Sequence, residues 1–304
     1  MEEEVTNESN SFPGFSFDKE KDNFPFYDSI KSAILDSLDS LNARFKNSTN
    51  TNCLKTGFPM LEFDNGNLIV LAARKGIGKT AFALSLMKKL AVDKEVPVGY
   101  INTGTIDNLI IGNKFLSITS GVAACKIRSG MLKVKDVENI NDAASCLFDA
   151  PIYTAINPNC CFDEFVLSAE FMLDEKAVKL IFIDSFEYFA ELVDADNESY
   201  RYEIGKLMDS LKKFAVEHNI PIVLLMNLPP SEDGEEPCLE DFKKNLVIPY
   251  KADMVLFLHR ERIKDDCKCI DTSLIIAKHV NHATYDIPLL FFPSTGSFEE
   301  KTDG

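Results

Sequence analysis

Residues 73–80 read Ala-Arg-Lys-Gly-Ile-Gly-Lys-Thr and directly follow the apolar run Leu68-Ile-Val-Leu-Ala72. A phosphate-cradling loop has the pattern Gly, four residues, then Gly-Lys-Ser/Thr, entered from a strand and left by a helix. Ala73 stands where the first Gly belongs, but the chemistry survives that change. Gly76 and Gly78 let the backbone curl so that successive N–H groups face a phosphate chain. Lys79 reaches the β- and γ-phosphates of a nucleotide, and the Thr80 hydroxyl is a ligand for Mg²⁺. The segment after Thr80 reads as a helix, whose N-terminus favours an anion. Ala73, Arg74, Lys75, Gly76, Ile77, Gly78, Lys79, Thr80 and Ala81 are therefore the candidate nucleotide contacts. A glycine-rich turn with a solvated lysine would account for Gly76 and Gly78, but not for Lys79-Thr80 at that offset. A second oxygen donor ends the run Leu180-Ile-Phe-Ile-Asp184. At the carboxyl end of a central strand, Asp184 would face the loop and hold Mg²⁺ through water.

Apolar runs that suit buried strands alternate with helical patterns around these residues. The strands are expected at 67–73, 97–102, 151–154, 179–183, 221–226, 253–258, 272–278 and 287–292. The helices are expected at 80–92, 106–119, 135–148, 161–175 and 198–218. Runs such as Pro221-Ile-Val-Leu-Leu-Met226 have no polar phase, as in strands covered on both faces. The alternation predicts an α/β fold, a doubly wound and mainly parallel sheet. The last strands follow one another without helices, so that end of the sheet is expected to be antiparallel. The domain is expected over 53–296, with 297–304 as a tail.

Ahead of it, residues 1–26 hold seven acidic and two basic side chains and read as a disordered tail. Five phenylalanines in it (Phe12, Phe15, Phe17, Phe24 and Phe26) also fit a docking peptide. In 27–45 the residues Ile30, Ile34, Leu35, Leu38 and Leu41 recur at helical spacing, and 47–52 is a polar connector. The expected segment is thus a linker helix and connector over 27–52.

The formal net charge is −16. A surface this acidic repels phosphate backbones unless basic residues are segregated, which opposes strong general DNA binding. The N-terminus carries no apolar export segment, and no run is long enough to span a bilayer. The eight cysteines are then expected as reduced thiols in a cytoplasmic protein. Cys267-Lys-Cys269 lacks a second ligand pair at zinc spacing. His279 and His282 have no sequence partner for a metal or a triad and read as surface side chains. Lys206, Lys212 and Lys213 read as the polar face of a helix.

Taken in order, several stretches resemble the RecA-like motor domain of DnaB-type replicative helicases. They are Thr56-Gly-Phe-Pro-Met-Leu61, Asn67–Arg74, Gly78–Leu84, Leu180–Asp184, Ala252–Leu258 and Ile275–Lys278. The resemblance covers about 27–295, without the family's helical N-terminal domain. It implies ATP and Mg²⁺ as cofactors, DNA unwinding in replication, and a homo-hexamer or another replication protein as partner. It also implies Lys79 and Asp184 as catalytic residues, and Lys278 as a contact to a nucleotide in a neighbouring subunit.

The departures bear on chemistry. Gly104 stands where the family has the glutamate that orients the attacking water. Asp107 lies nearby, and Glu187 replaces a family glutamine, so either is a candidate substitute. Val280 stands at the arginine finger, whose loss can cost about 10³–10⁵ in rate. Asn227 replaces a glutamine at the end of the next strand. The loop Pro229–Pro237, basic in the family, here carries four carboxylates. Three readings follow: an ATP-driven motor impaired in hydrolysis, an ATP-binding regulator or interaction module, and, more distantly, a RecA/KaiC-type ATPase. DNA binding is expected to be weak.

Overall fold

Strand β3 (Leu68–Arg74) sends alternate side chains into two different cores. Ile69, Leu71 and Ala73 enter one; Leu68, Val70 and Ala72 enter the other. Side chains alternate across a strand, so a run with no polar phase needs cover on both faces. Helices Lys79–Ala91 and Asn108–Ser120 cover the first face, through residues such as Phe82, Leu86 and Phe115. Helices Phe162–Lys176 and Tyr200–Glu217 cover the second, through Phe165, Leu207 and Leu211. Each fully buried side chain of this size contributes about 1.5–3 kcal/mol.

The computed structural model describes residues 53–105, 107–195, 199–230, 235–260 and 267–301, the side chain of Lys244 excepted, together with Ile34 and Leu38. The chain divides between Asn52 and Cys53. The expected tail 1–26 and most of the expected linker 27–52 lie outside the described residues. Ile34 and Leu38 are both helical, as the spacing predicts.

The described part of the domain has β1 (Cys53–Lys55), β2 (Glu62–Asp64), β3, β4 (Val98–Asn102), β5 (Ile152–Ile156), β6 (Leu180–Asp184) and β7 (Ile222–Leu228). It continues with β8 (Met254–Arg260), β9 (Ile270–His279), β10 (Tyr285–Phe292) and β11 (Ser297–Glu300). Strands β1 and β2 form a separate antiparallel pair. The other nine make one sheet in the order β11-β10-β9-β8-β3-β7-β6-β4-β5. From β8 to β5 neighbouring strands are parallel, with Asp184 level with Leu225 and Ala73 level with Asn227. The pairings β8–β9, β9–β10 and β10–β11 are antiparallel. The doubly wound sheet with an antiparallel end is the expected architecture.

The C-terminal boundary is a correction. The sequence reads 297–304 as a tail, yet Ser297–Glu300 is a strand of the main sheet. The reason is Phe298, which is only 2% exposed. Its ring meets Phe82 edge-on at 5.5 Å and Phe291 at 4.7 Å, and its N–H donates to Ser85 Oγ at 3.1 Å. One aromatic residue inside a short polar stretch gives no periodicity from which to expect this.

Candidate nucleotide site

Strands β3, β7 and β6 are adjacent and parallel, so their carboxyl ends bring the P-loop, Asn227 and Asp184 to one edge of the sheet. Such an edge is where open α/β sheets bind ligands. After Arg74 the chain turns through Gly76 (φ 88°) and Gly78 (φ 116°), both in the left-handed region that favours glycine. At Gly78 a Cβ would also stand 3.2 Å from the Phe298 ring. The helix then starts at Lys79, with Phe82 N–H donating to Gly78 O at 2.8 Å.

Lys79 is buried, and its ammonium donates to Asn227 Oδ1 at 2.7 Å and Ala73 O at 3.4 Å. Burial lowers its pKa, opposed by the charges of Glu187 and then Asp184. Thr80 Oγ1 donates to Asp184 Oδ2 at 2.6 Å, and the Tyr100 hydroxyl donates to the same oxygen at 2.7 Å. Tyr100 is fully buried, and burial with the adjoining Asp184 charge raises its pKa well above 10.0. A hydroxyl and a carboxylate in contact form an all-oxygen donor set, the type a hard cation such as Mg²⁺ takes.

The sequence candidates separate in space. Lys79, Thr80 and Asp184 come together. Ala73 contributes its carbonyl, and its side chain is a core residue. The Arg74 guanidinium turns away, donating to Asp241 Oδ2 at 3.2 Å and to Glu235 O. Lys75 is exposed, while Ile77 and Ala81 pack against the first core. Within this chain Lys278 stands apart from the P-loop. Its ammonium donates to Pro249 O, Tyr250 O and Ala252 O at 2.8, 3.0 and 2.6 Å. These carbonyls end the short helix Val247–Lys251, and they take all three donors a lysine has.

The two candidate substitute carboxylates also part company. Asp107 is exposed and caps the helix Asn108–Ser120, accepting from Leu109 N–H at 2.7 Å. Glu187 accepts the N–H of Asn227, the residue that holds Lys79. Gly104 is buried, and Val280 is 59% exposed. Of the acidic loop, Glu235 and Glu236 are exposed; Ser231–Gly234 lie outside the described residues.

Sequence reasoning misses Arg260. From the end of β8 its Nε donates to Ile77 O and its Nη2 to Gly76 O, both at 2.9 Å, and its guanidinium lies 4.5 Å from the Phe291 ring centre. A lone arginine after an apolar strand carries no signal of that role. Tyr100 is hidden inside a run that reads as core. Lys212, expected on a polar helix face, instead reaches Asp253 Oδ2 at 2.6 Å and Gly66 O at 2.9 Å.

His279 and His282, expected as isolated surface side chains, meet Asp64 from β2, with one nitrogen or oxygen of each within 4.8 Å of the others. Asn281 N–H donates to His279 Nδ1 at 3.1 Å, and Asn281 Nδ2 donates to Asp64 Oδ2 at 3.1 Å. These side chains and Asn281 link β2 to the β9–β10 turn.

A P-loop that opens onto the aspartate of a parallel strand, in a sheet closed by antiparallel strands, is the arrangement of RecA-like ATPase domains. Residues 54–300 match the DnaB-like helicase C-terminal domain, and the chain belongs to that family. Over 276 residues it is 31% identical to the replicative DNA helicase DnaB of Treponema pallidum, covering 88% of this chain and 61% of that protein. It is 26% identical over 238 residues to a probable plasmid replicative DNA helicase of Chlamydia muridarum, covering 77% of this chain and 51% of that one. The chain therefore spans about half to three-fifths of the length of these relatives. Among solved structures, one described as an ATPase domain superposes with a TM-score of 0.73 at 20% identity, covering 90% of this chain and 99% of that one. A DnaB-like replicative helicase, described with its interactions with primase, gives 0.71 at 20% identity, covering 86% of this chain and 65% of that one. No described helix is long and apolar enough to cross a membrane.

Proposed function

We propose that this chain binds ATP with Mg²⁺ at the Lys79–Thr80–Asp184 edge and acts as the motor unit of a DnaB-type replicative helicase, with slow turnover. The observation that carries the reading is the contact of Thr80 with Asp184 beside a buried Lys79. Thr80 and Asp184 would hold Mg²⁺, which when bound neutralises charge on the β- and γ-phosphates. Lys79 exchanges Asn227 Oδ1 for a phosphate oxygen, an exchange helped by the loop N–H groups around it. Asn227 is thereby placed to sense whether the last phosphate is present. Family membership supports a homo-hexamer in the cytoplasm, and a replication protein such as a primase as partner.

A second reading is an ATP-binding regulator of a helicase. It is favoured by Gly104 in place of a carboxylate, by the exposed Val280 in place of a finger, and by the acidic 229–237 loop. Two measurements separate these. Fluorescent-nucleotide titration tests the site: Lys79→Ala should abolish binding with the fold intact, and equal affinity would remove the assignment. ATP turnover with and without single-stranded DNA then tests the motor. DNA-stimulated turnover selects it, and binding without turnover selects the regulator.

A further inference from the structure

Two carboxylates act on the P-loop lysine, Glu187 and Asp184. Asp184 is committed: its Oδ2 accepts from both Thr80 and Tyr100. Glu187 is held differently. Oε1 accepts the Asn227 N–H, while Oε2 is buried and has no partner. A buried carboxylate oxygen left open is unusual, and it calls for a ligand or a water. Glu187 belongs to the one-turn helix Phe186–Tyr188 that follows β6, so the strand carrying Asp184 also delivers it.

Among the described residues, the positions at the end of β4 and at Asp107 do not supply that carboxylate. A Cβ on Gly104 would stand 3.3 Å from the Tyr188 ring and 3.4 Å from Asn102 Oδ1. A side chain at 104 would therefore crowd Tyr188, the residue next to Glu187. Asp107 is turned outward as a helix cap.

We infer that Glu187 is the catalytic base for ATP hydrolysis, reached from β6 and not from β4. The inference rests on the ATP-site reading above. A water oxygen forms the new bond to the γ-phosphorus, and its proton passes to Glu187 Oε2. The bond from the γ-phosphorus to the bridging oxygen breaks, and ADP leaves with the electron pair. The proton then passes from Glu187 to the phosphate product or to solvent. Oε1, anchored on the Asn227 N–H, fixes the orientation of Oε2 and couples the base to the side chain that holds Lys79.

The experiment compares wild type, Glu187→Gln, Glu187→Asp and Asp107→Asn for nucleotide Kd, kcat and the pH profile of kcat. Gln keeps the shape and an acceptor for the Asn227 N–H, but it is no base. Glu187→Gln should lower kcat about 100-fold or more, the usual range for a general base. Its Kd should stay within about threefold of wild type and the acidic limb of the profile should vanish, readouts that a merely structural role does not move. Glu187→Asp should retain more turnover than Gln, and Asp107→Asn should match wild type. A Gln variant with wild-type kcat overturns the inference, as does nucleotide binding without turnover above that of Lys79→Ala. Failure of wild type to bind nucleotide would instead overturn the ATP-site reading, and this inference with it.

Discussion

Arg260→Ala tests how the P-loop is held in shape before a nucleotide arrives. Arg260 is 8% exposed, and its two hydrogen bonds to Ile77 O and Gly76 O are both 2.9 Å. They hold these carbonyls toward the guanidinium and so fix the course of the loop. Hydrogen bonds from a charged donor contribute about 1.5–3 kcal/mol each. Burial lowers the arginine's pKa, a sign of desolvation that offsets part of this, so about 3 kcal/mol of stability should be lost. The effect on binding is separate. Without the clamp, Gly76 and Ile77 must be ordered by the nucleotide, at about 1–2 kcal/mol per residue. Two residues give about 2–4 kcal/mol. At about 1.4 kcal/mol per factor of ten, that is about 30- to 700-fold in Kd. The lower end is expected, because Lys79 and the helix start still restrain the loop. The assay is fluorescent-nucleotide titration, with circular dichroism confirming a folded variant; Arg260→Lys should fall between the two. A folded Arg260→Ala protein that binds within about threefold of wild type would refute the argument.

Three further outcomes are expected. Phe298→Ala should destabilise the domain by about 3–5 kcal/mol, the range for a buried Phe, seen as a lower chemical-denaturation midpoint; an unchanged midpoint would return 297–304 to a tail. Tyr100→Phe should cost about 2 kcal/mol at neutral pH, by removing a hydrogen bond to a charged carboxylate. The Tyr100 pKa is raised on folding above 10.0, so its contribution is fully present below that pH and lost as pH rises through the raised value. The alkaline limb of stability against pH should therefore be shallower in Tyr100→Phe, and identical limbs would contradict the buried contact. Single-stranded DNA should bind weakly with ATP present, losing under about tenfold in affinity between low and moderate salt, where many phosphate contacts would give about 10³ or more. A steep slope would show a basic channel that the net charge of −16 conceals.

What the sequence could convey depended on how local each signal was. The P-loop is a contiguous motif whose spacing is its mechanism, so Lys79 and Thr80 could be read directly. Asp184 followed because an apolar strand that ends in a carboxylate has few places to go in a parallel sheet. The wholly apolar runs in β3, β6 and β7 required cover on both faces, and the two cores supply it.

Other features were hidden for physical reasons. Ser297–Glu300 is held by one buried residue, Phe298, and by pairing with β10, and a single apolar residue has no period. Arg260 reaches back 183 and 184 residues to its carbonyls, and Tyr285 in β10 faces Ile276 in β9 through a pairing only the sheet defines. Asp107 and Glu187 were equivalent as letters near the motif. Backbone direction separated them, one toward a helix N-terminus and the other toward Asn227. The sequence by itself determined the class of fold and the phosphate-binding loop, because both rest on contiguous patterns. Only the tertiary structure decided that Asp107 caps a helix while Glu187 meets the Asn227 N–H, what clamps the loop and where the sheet ends. Those depend on contacts between segments whose separation along the chain carries no trace of their closeness in space.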